Sequence, residues 1–566
     1  MKGASKKRTT RITERKHLRI VIVQIFWHSL FCNRIAFFLK LKTAMIDSML
    51  NARTERKWFQ AILFLGVAVR IATAVLNSGY LALDDYYILF FAVPAQSESL
   101  SLVDSVQAVP EIRSLLPDAL VRLFAKIAYT IGFDDPLHQI QFVFACLGLL
   151  SAITIWIGYR FLKYLYPPSE NPEEENYTQW IPLSGAFLLS LHFLMPFVST
   201  RALIESMSAP FLLGGTFFAS VYWKEGKYKD LGLSITLLAI ASLFRFQAGV
   251  CAVALFSLVA YRSWKNRSPK DIYLFAGFSL ALLVLTGIPD LIFRGSFHSS
   301  IRSYISYNLN HSAEYGVSPW FAYLPAILGA SLFPFFLGKY EGFGWRSVYS
   351  PLIPTILFSG LFLIVHSAIP HKEERFLLPV LPLLLVLLAP LCAYWHGGRY
   401  KKISVRRVLF LLTNFLLLDL LCFFTIQNNS IQLVRYLNFH TEIKELYVYK
   451  DSITHLPVSY AYRTPLERFE SVDTLDENEQ PRIDKFDPYK SCSAVLVVRK
   501  DYVLGGIDPE PPWILVTSFG SSPLEEFAVS LNPNKNKRRS SLYLYQFQLC
   551  KQPKGDAVSD SGTPTF

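Results

Sequence analysis

The chain has 566 residues, 52% of them hydrophobic and 15% aromatic, with 17% charged, below the quarter usual in soluble domains. Its formal charge of +13 sits in short Lys/Arg clusters between apolar runs, with no basic-aromatic binding motif, which excludes nucleic acid as the partner and indicates an α-helical multi-span membrane protein. The seven cysteines form no CxxC pair and have no histidine partners, so no zinc site, redox motif or other metal or cofactor is signalled.

Residues 1–55 are basic, and their apolar run is interrupted by His28, Asn33 and Arg34. That pattern is too polar for a span and reads as a cytoplasmic tail or interfacial helix; no cleavage site follows a clean apolar core, so a removed signal peptide is not expected. Regular hydropathy then predicts crossings near 58–76, 138–160, 180–198, 203–222, 271–291, 320–338, 348–367, 376–395 and 408–426. The stretch 231–261 is too long for one ordinary crossing and is broken by Arg245, Gln247 and Gly249, which predicts two short crossings joined by RFQAG. The expected architecture is about eleven transmembrane helices over 56–426. The tail, 427–566, carries VLVVR, WILVTSF and SSLYLYQFQ between Pro/Gly/Asp-rich turns and is expected to form a small soluble α/β domain. It also holds Cys492 and Cys550, which an oxidising compartment would allow to pair.

Lys/Arg-rich loops tend to stay cytoplasmic. Lys224, Lys227 and Lys229 mark one such loop, Arg262, Lys265, Arg267 and Lys270 the next, Lys339 and Arg346 a third, and Arg399 to Arg407 a fourth. The other side then receives 77–136, RFQAG, 292–319, the HKEERF run at 371–376, and the tail. Every chemically loaded stretch is thus expected outside the cytoplasm. In the first outer loop Asp84 and Asp85 stand beside Tyr86 and Tyr87; adjacent carboxylates there suit a helix cap or solvated turn, a metal ligand, or a general base for a hydroxyl at the lipid surface. The loop at 292–319 interleaves hydroxyl, amide and imidazole groups with Tyr and Trp, which fits either a sugar or an interfacial aromatic belt. HKEERF places five ionisable side chains in a row between two long apolar runs, either as a snorkelling turn or as the lining of a polar cavity.

HKEERFLLPVLP resembles the signature of the glycosyltransferase family 22 mannosyltransferases, a His-Lys-Glu-x-Arg-Phe run before a Pro-containing span. YNLNHSAEYGVSPWFAYLP is similar to that family's stretch with an Asn, a Tyr-Gly pair and a Pro-Trp, most of all in its GPI mannosyltransferase branch. STRALIE, Ser199 to Glu205, resembles that branch's Thr-Arg-x-Leu segment, LDDYY occupies the place of a Pro-Asp-Glu-Tyr motif, and THLPV at 454–458 weakly resembles a Cys-His-x-x-Pro segment. Three departures stand out: Leu83 replaces Pro, Asp85 replaces Glu, and RFQAG replaces Arg-Pro-Thr-Ala.

The resemblance covers roughly 58–465 and implies a GT-C fold with inverting transfer of mannose from a polyprenyl-phosphate carrier, giving an α-linked product. The expected partners are that donor, a lipid-linked glycan or glycolipid acceptor, and the membrane. On this reading Asp84 is the base and Asp85 its orienting partner or alternate, while His371, Lys372 and Arg375 take the donor phosphate. Glu373, Glu374, Arg201, Arg245, Asn308, Tyr315 and Trp320 support the site or bind acceptor. The membrane is expected to be that of the endoplasmic reticulum or a bacterial inner membrane, with the site facing away from the cytoplasm. A multi-span lipid transporter or flippase, with Arg70 and Arg245 as mid-membrane charges, and a protein O-mannosyltransferase are the alternatives.

Overall fold

The computed structural model describes residues 52–82, 88–89, 109–167, 177–312, 314, 316–397, 405–449, 451, 456, 466–472, 493–500 and 513–547. Asp84, Asp85, Tyr315, Cys492 and Cys550 lie outside them, as does all of THLPV except Leu456. The chain divides into two compact units, Met1–Gln60 and Ala61–Phe566. Of the first, residues 52–60 are described and are helical.

Helices occupy every stretch expected to cross the membrane. Six are long and apolar enough to do so: Ala52–Leu76 (α1), Pro136–Leu165, Phe246–Lys265, Lys270–Arg294, Trp345–Ala368 and Glu374–Trp395. A bent pair, Thr178–Leu191 with Leu194–Thr200, makes a seventh if taken as one span. By this measure the described residues fall short of eleven crossings, for local reasons. The helix Tyr228–Phe244 has 17 residues, and Val405–Cys422 carries Arg406, Arg407 and Asp419. The expected crossing at 320–338 breaks after Tyr323–Ala330, where Leu332 takes a φ of 53°.

Helix boundaries follow from capping chemistry. Leu115–Thr130 (α2) opens where the Ser114 hydroxyl accepts from Leu116 N, and Pro136–Leu165 (α3) opens on the Asp135 carboxylate, with Pro136 in the first turn. The expected break at RFQAG is present. Arg245 is extended, with φ −142° and ψ 105°, and a 3-10 turn at Phe246–Val250 separates Tyr228–Phe244 from Cys251–Lys265.

Inside the helical region Arg70 is buried and satisfied mostly by backbone. Arg70 gives Nε to Ser151 Oγ at 3.0 Å, Nη1 to the Gly66 and Ser190 carbonyls at 3.0 and 3.1 Å, and Nη2 to Leu189 O at 2.9 Å. The Leu189 and Ser190 carbonyls lie next to the bend of the broken pair, so the charge seals a helix end that lipid could not solvate. Asn414 bridges the same bend, donating to Leu191 O and accepting from Phe193 N.

The tail forms a five-stranded mixed sheet in the order β2-β1-β3-β5-β4. Its strands are Glu445–Tyr449 (β1), Arg468–Val472 (β2), Ala494–Arg499 (β3), Trp513–Phe519 (β4) and Leu542–Phe547 (β5). β1 pairs parallel with β2 and β3, while β5 runs antiparallel to β3 and β4. β3, AVLVVR, is buried throughout, as a continuous apolar strand should be. The sheet shares one hydrophobic core with the helices: Leu446, Val448, Val495 and Val497 join Tyr80, Val121, Ala125 and Phe144.

Candidate active site

HKEERF follows Ile353–Ala368 and leads through a 3-10 run, Glu374–Val380, into Leu381–Gly397. Glu373 is its hub. Arg375 holds it with two prongs, Nε to Oε2 at 2.5 Å and Nη2 to Oε1 at 3.1 Å, and His371 Nε2 lies 3.0 Å from Oε1. Glu374 is exposed. Lys372 turns the other way and donates to the Ile369 and Ser318 carbonyls at 2.6 and 3.1 Å.

Those contacts join HKEERF to the Tyr-Gly…Pro-Trp stretch. Ser318 N donates to Pro370 O at 3.0 Å, and His371 Nδ1 lies 3.4 Å from Gly316 O. Gly316 has a φ of +93°, a conformation that few L side chains adopt, so this turn needs glycine. Two of the segments that carry the family resemblance are therefore bonded to each other.

Beneath HKEERF, three charged groups from distant parts of the chain converge. Glu205 stands in the first turn of Ile204–Glu225 (α4), which packs on the Glu374–Val380 run. It is fully buried, and its Oε1 lies 3.0 Å from Arg245 Nη1 and 4.0 Å from Arg375 Nη1. Both guanidiniums also stack on Phe376, at 4.7 Å for Arg245 and 5.3 Å for Arg375. Two guanidiniums gathered on one ring and one carboxylate repel each other, so Glu205 is what allows them to share one site. Tyr304 borders the cluster: burial pushes its phenol up, Arg245 pulls it down, and Glu205 pushes it up again. Its ring lies 5.3 Å from Phe246. Neither Glu205 nor Tyr304 stands out in the sequence; the signal for Glu205 is its place at the end of STRALIE.

Arg201 is also fully buried, but it belongs to a different knot. Its Nη1 donates to Gly79 O, its Nε and Nη2 reach Thr200 Oγ1 at 3.3 and 3.1 Å, and it stacks on Phe144 at 4.1 Å and Phe197 at 5.1 Å. Gly79 is fixed in turn by Asn77, whose carbonyl accepts from Gly79 N and Ile426 N while its amide donates to Leu421 O. A Cβ on Gly79 would lie 1.7 Å from Ile426 O, so the close approach requires glycine. Arg201 thus fixes the chain five residues before Asp84.

Asn308 and Trp320 are not gathered into the cluster. Asn308 is exposed and donates to Tyr304 O on its own helix, and Trp320 is 74% exposed. Among the described residues no group of three or more His, Cys, Asp or Glu is placed to hold a metal ion. The site as described is a set of cations braced by carboxylates at the ends of apolar helices, suited to holding an anionic headgroup.

Residues 107–470 match the Alg9-like mannosyltransferase family. The chain is 28% identical over 340 residues to GPI mannosyltransferase 3 of Saccharomyces cerevisiae, covering 53% of each chain. It is 25% identical over 261 residues to the Dol-P-Man:Man(7)GlcNAc(2)-PP-Dol alpha-1,6-mannosyltransferase of Drosophila melanogaster, covering 40% of this chain and 34% of that one. Among solved structures, ArnT from Cupriavidus metallidurans in the apo state superposes with a TM-score of 0.48 at 11% identity, over 88% of this chain and all of that one. The chain spans about half the length of curated relatives it matches, such as the GPI mannosyltransferase 3 of yeast and of Drosophila melanogaster. With HKEERF, the Tyr-Gly turn and STRALIE meeting at one place inside the matched residues, the chain belongs to the Alg9-like mannosyltransferase family.

Proposed function

We propose that this protein is an inverting mannosyltransferase of the GT-C type, which moves mannose from a polyprenyl-phosphate carrier to a lipid-linked glycan or glycolipid and leaves an α-mannosidic bond. The observation that carries the reading is the pairing of Arg245 and Arg375 over Glu205, directly beneath HKEERF. A sugar phosphate leaves with the electron pair of its broken C1–O bond, and fixed cations aimed at that developing charge are commonly the largest catalytic contribution. Arg375 and Arg245 would meet the phosphate with His371 beside them, Glu373 and Glu205 holding the guanidiniums in place, while Lys372 ties the run to Ser318. The acceptor hydroxyl oxygen forms the new bond to C1 from the opposite face and gives its proton to a carboxylate. Asp84 is assigned that role, with Asp85 orienting it; the Arg201–Gly79 contact ties down the chain just before this pair. The donor class is also in keeping with the Dol-P-Man named in the Drosophila relative.

RFQAG, 292–319 and HKEERF touch one another, while the Lys/Arg-rich loops near 224–229 and 262–271 touch each other through Arg262, Asp271 and Trp223. This segregation supports a site on the side opposite the basic loops. That side would be the lumen of the endoplasmic reticulum or the outer face of a bacterial inner membrane. The test is transfer by the purified protein in lipid, with labelled polyprenyl-phosphate mannose and a panel of glycolipid acceptors. Transfer from the lipid donor is expected; robust transfer from GDP-mannose alone, free of polyprenyl phosphate, would overturn the donor assignment.

A further inference from the structure

A cavity of about 550 Å³ is lined by Glu111, Ser299, Arg302, Ser303, Ser306, Tyr307, Asn310 and three neighbours. We propose that it is the acceptor subsite, holding a short neutral oligosaccharide of a glycolipid whose hydrocarbon lies along the adjoining face of the same helix. The proposal rests on the transferase reading above.

The groove is built from two buried charges behind it. Arg294 donates to the carbonyls of Val109, Pro110 and Glu111 at 3.4, 3.2 and 3.0 Å, which fixes the wall that carries Glu111. Asp290 accepts from Ser300 N at 2.9 Å and Ser300 Oγ at 2.5 Å, fixing the start of the helix Ser299–His311 that forms the opposite wall. Arg302 then reaches Ser296 Oγ at 3.0 Å, and Ser303 Oγ lies 3.5 Å from Glu111 Oε2 across the gap.

Helical spacing sorts that helix into three faces. Ser299, Ser303, Ser306 and Asn310 line the groove. Tyr304 borders the Arg245–Glu205–Arg375 cluster, so the groove and the phosphate-binding cations lie on two sides of one helix. Ile305 and Leu309, 51% and 78% exposed, form a third face one turn apart, as on a helix that lies at a bilayer interface.

The lining selects the ligand. Hydroxyl, amide, carboxylate and guanidinium groups satisfy the paired hydroxyls of a hexose, and Tyr307, whose ring meets His311 at 4.8 Å, offers a surface for its C–H face. An anion is disfavoured because Glu111 lines the groove along with Arg302, and His311 lies 2.9 Å from Glu314. The size falls within the range of small-ligand sites.

Two variants at exposed positions test this in the full-length protein in lipid nanodiscs: Asn310→Ala, which removes an amide, and Ser306→Phe, which fills the groove. Binding of free α-linked mannotriose, read by saturation-transfer NMR, is expected with the parent protein and lost with Ser306→Phe. In transfer assays the acceptor KM should rise about three- to tenfold for Asn310→Ala, with the donor KM unchanged. Unaltered mannotriose binding and acceptor KM in both variants, each melting like the parent, would overturn the proposal. Loss of mannotriose binding in Ser306→Phe, in a protein that transfers nothing from polyprenyl-phosphate mannose, would uphold the groove while sinking the donor reading.

Discussion

Glu205 contributes most through what it holds together. Removing one partner of a buried ion pair typically costs about 3–5 kcal/mol, because the remaining charge is left uncompensated. Glu205→Ala is therefore expected to lower the melting temperature in detergent and abolish transfer together, whereas Glu205→Gln keeps the shape and should lose transfer more than stability. Equal melting of Glu205→Ala and the parent would show that the two arginines do not depend on it. Arg375 behaves differently, since its carboxylate partner Glu373 is local. Arg375→Ala should raise the apparent KM for the lipid donor by the loss of a charge-assisted hydrogen bond worth ~1.5–3 kcal/mol, with the acceptor KM little changed. Arg375→Lys should rescue only in part, because an ammonium cannot reproduce the two-pronged contact; full rescue would argue for a point-charge role. HKEERF could be found in the sequence because its charges are consecutive and their cost beside hydrocarbon is evident. Glu205 could not be, because its partners lie forty and one hundred and seventy residues away and a lone acid in a first turn looks like ordinary helix chemistry.

At the level of elements, the breaks in the spans carry most of the information. RFQAG was legible because Arg, Gln and Gly interrupt an apolar run too long for one crossing. The bend after Leu191 was not: its one polar residue, His192, is lone and buried, and the groups that satisfy its open carbonyls, Arg70 and Asn414, come from other helices. The amphipathic helix α2 offers a pH test. Burial lifts the Asp118 carboxyl from 3.8 to about 6, against the opposing pull of Arg113, Arg122 and Arg294. The folded chain then binds this proton more tightly than the unfolded chain. The contribution is complete below pH 3.8 and is lost as pH rises through about 6. Asp118→Asn should remove that loss, worth ~3 kcal/mol at neutral pH, and flatten the melting temperature across this window. A variant that loses stability over the same range as the parent would assign the drop to another group.

For the whole molecule, the exposed surface states the environment. Along Lys270–Arg294 only Asp271, Gly287 and Asp290 are buried, while Leu280, Leu283, Leu285 and Ile292 are 55–68% exposed; a helix apolar on nearly every side requires lipid around it. The sheet adds the orientation. Its strands share a core with Tyr80, Val121 and Ala125, and Arg294 ties the stretch before Val121 to the loop at 292–319. We propose from this shared core that the tail lies on the same side of the membrane as 77–136 and the groove, whichever side that is. In a chain with its native cysteines replaced, single cysteines at Asn308 and Phe527, both exposed, should react with a membrane-impermeant maleimide only after sealed vesicles are permeabilised. A cysteine at Lys265, exposed in a basic loop, should react beforehand. If Asn308→Cys and Phe527→Cys were labelled from opposite sides, the shared core between sheet and helices would be ruled out. If both reacted together with Lys265→Cys, the core would stand and the assignment of the basic loops to the cytoplasm would fall, because the Lys/Arg asymmetry on which it rests would then not govern this chain.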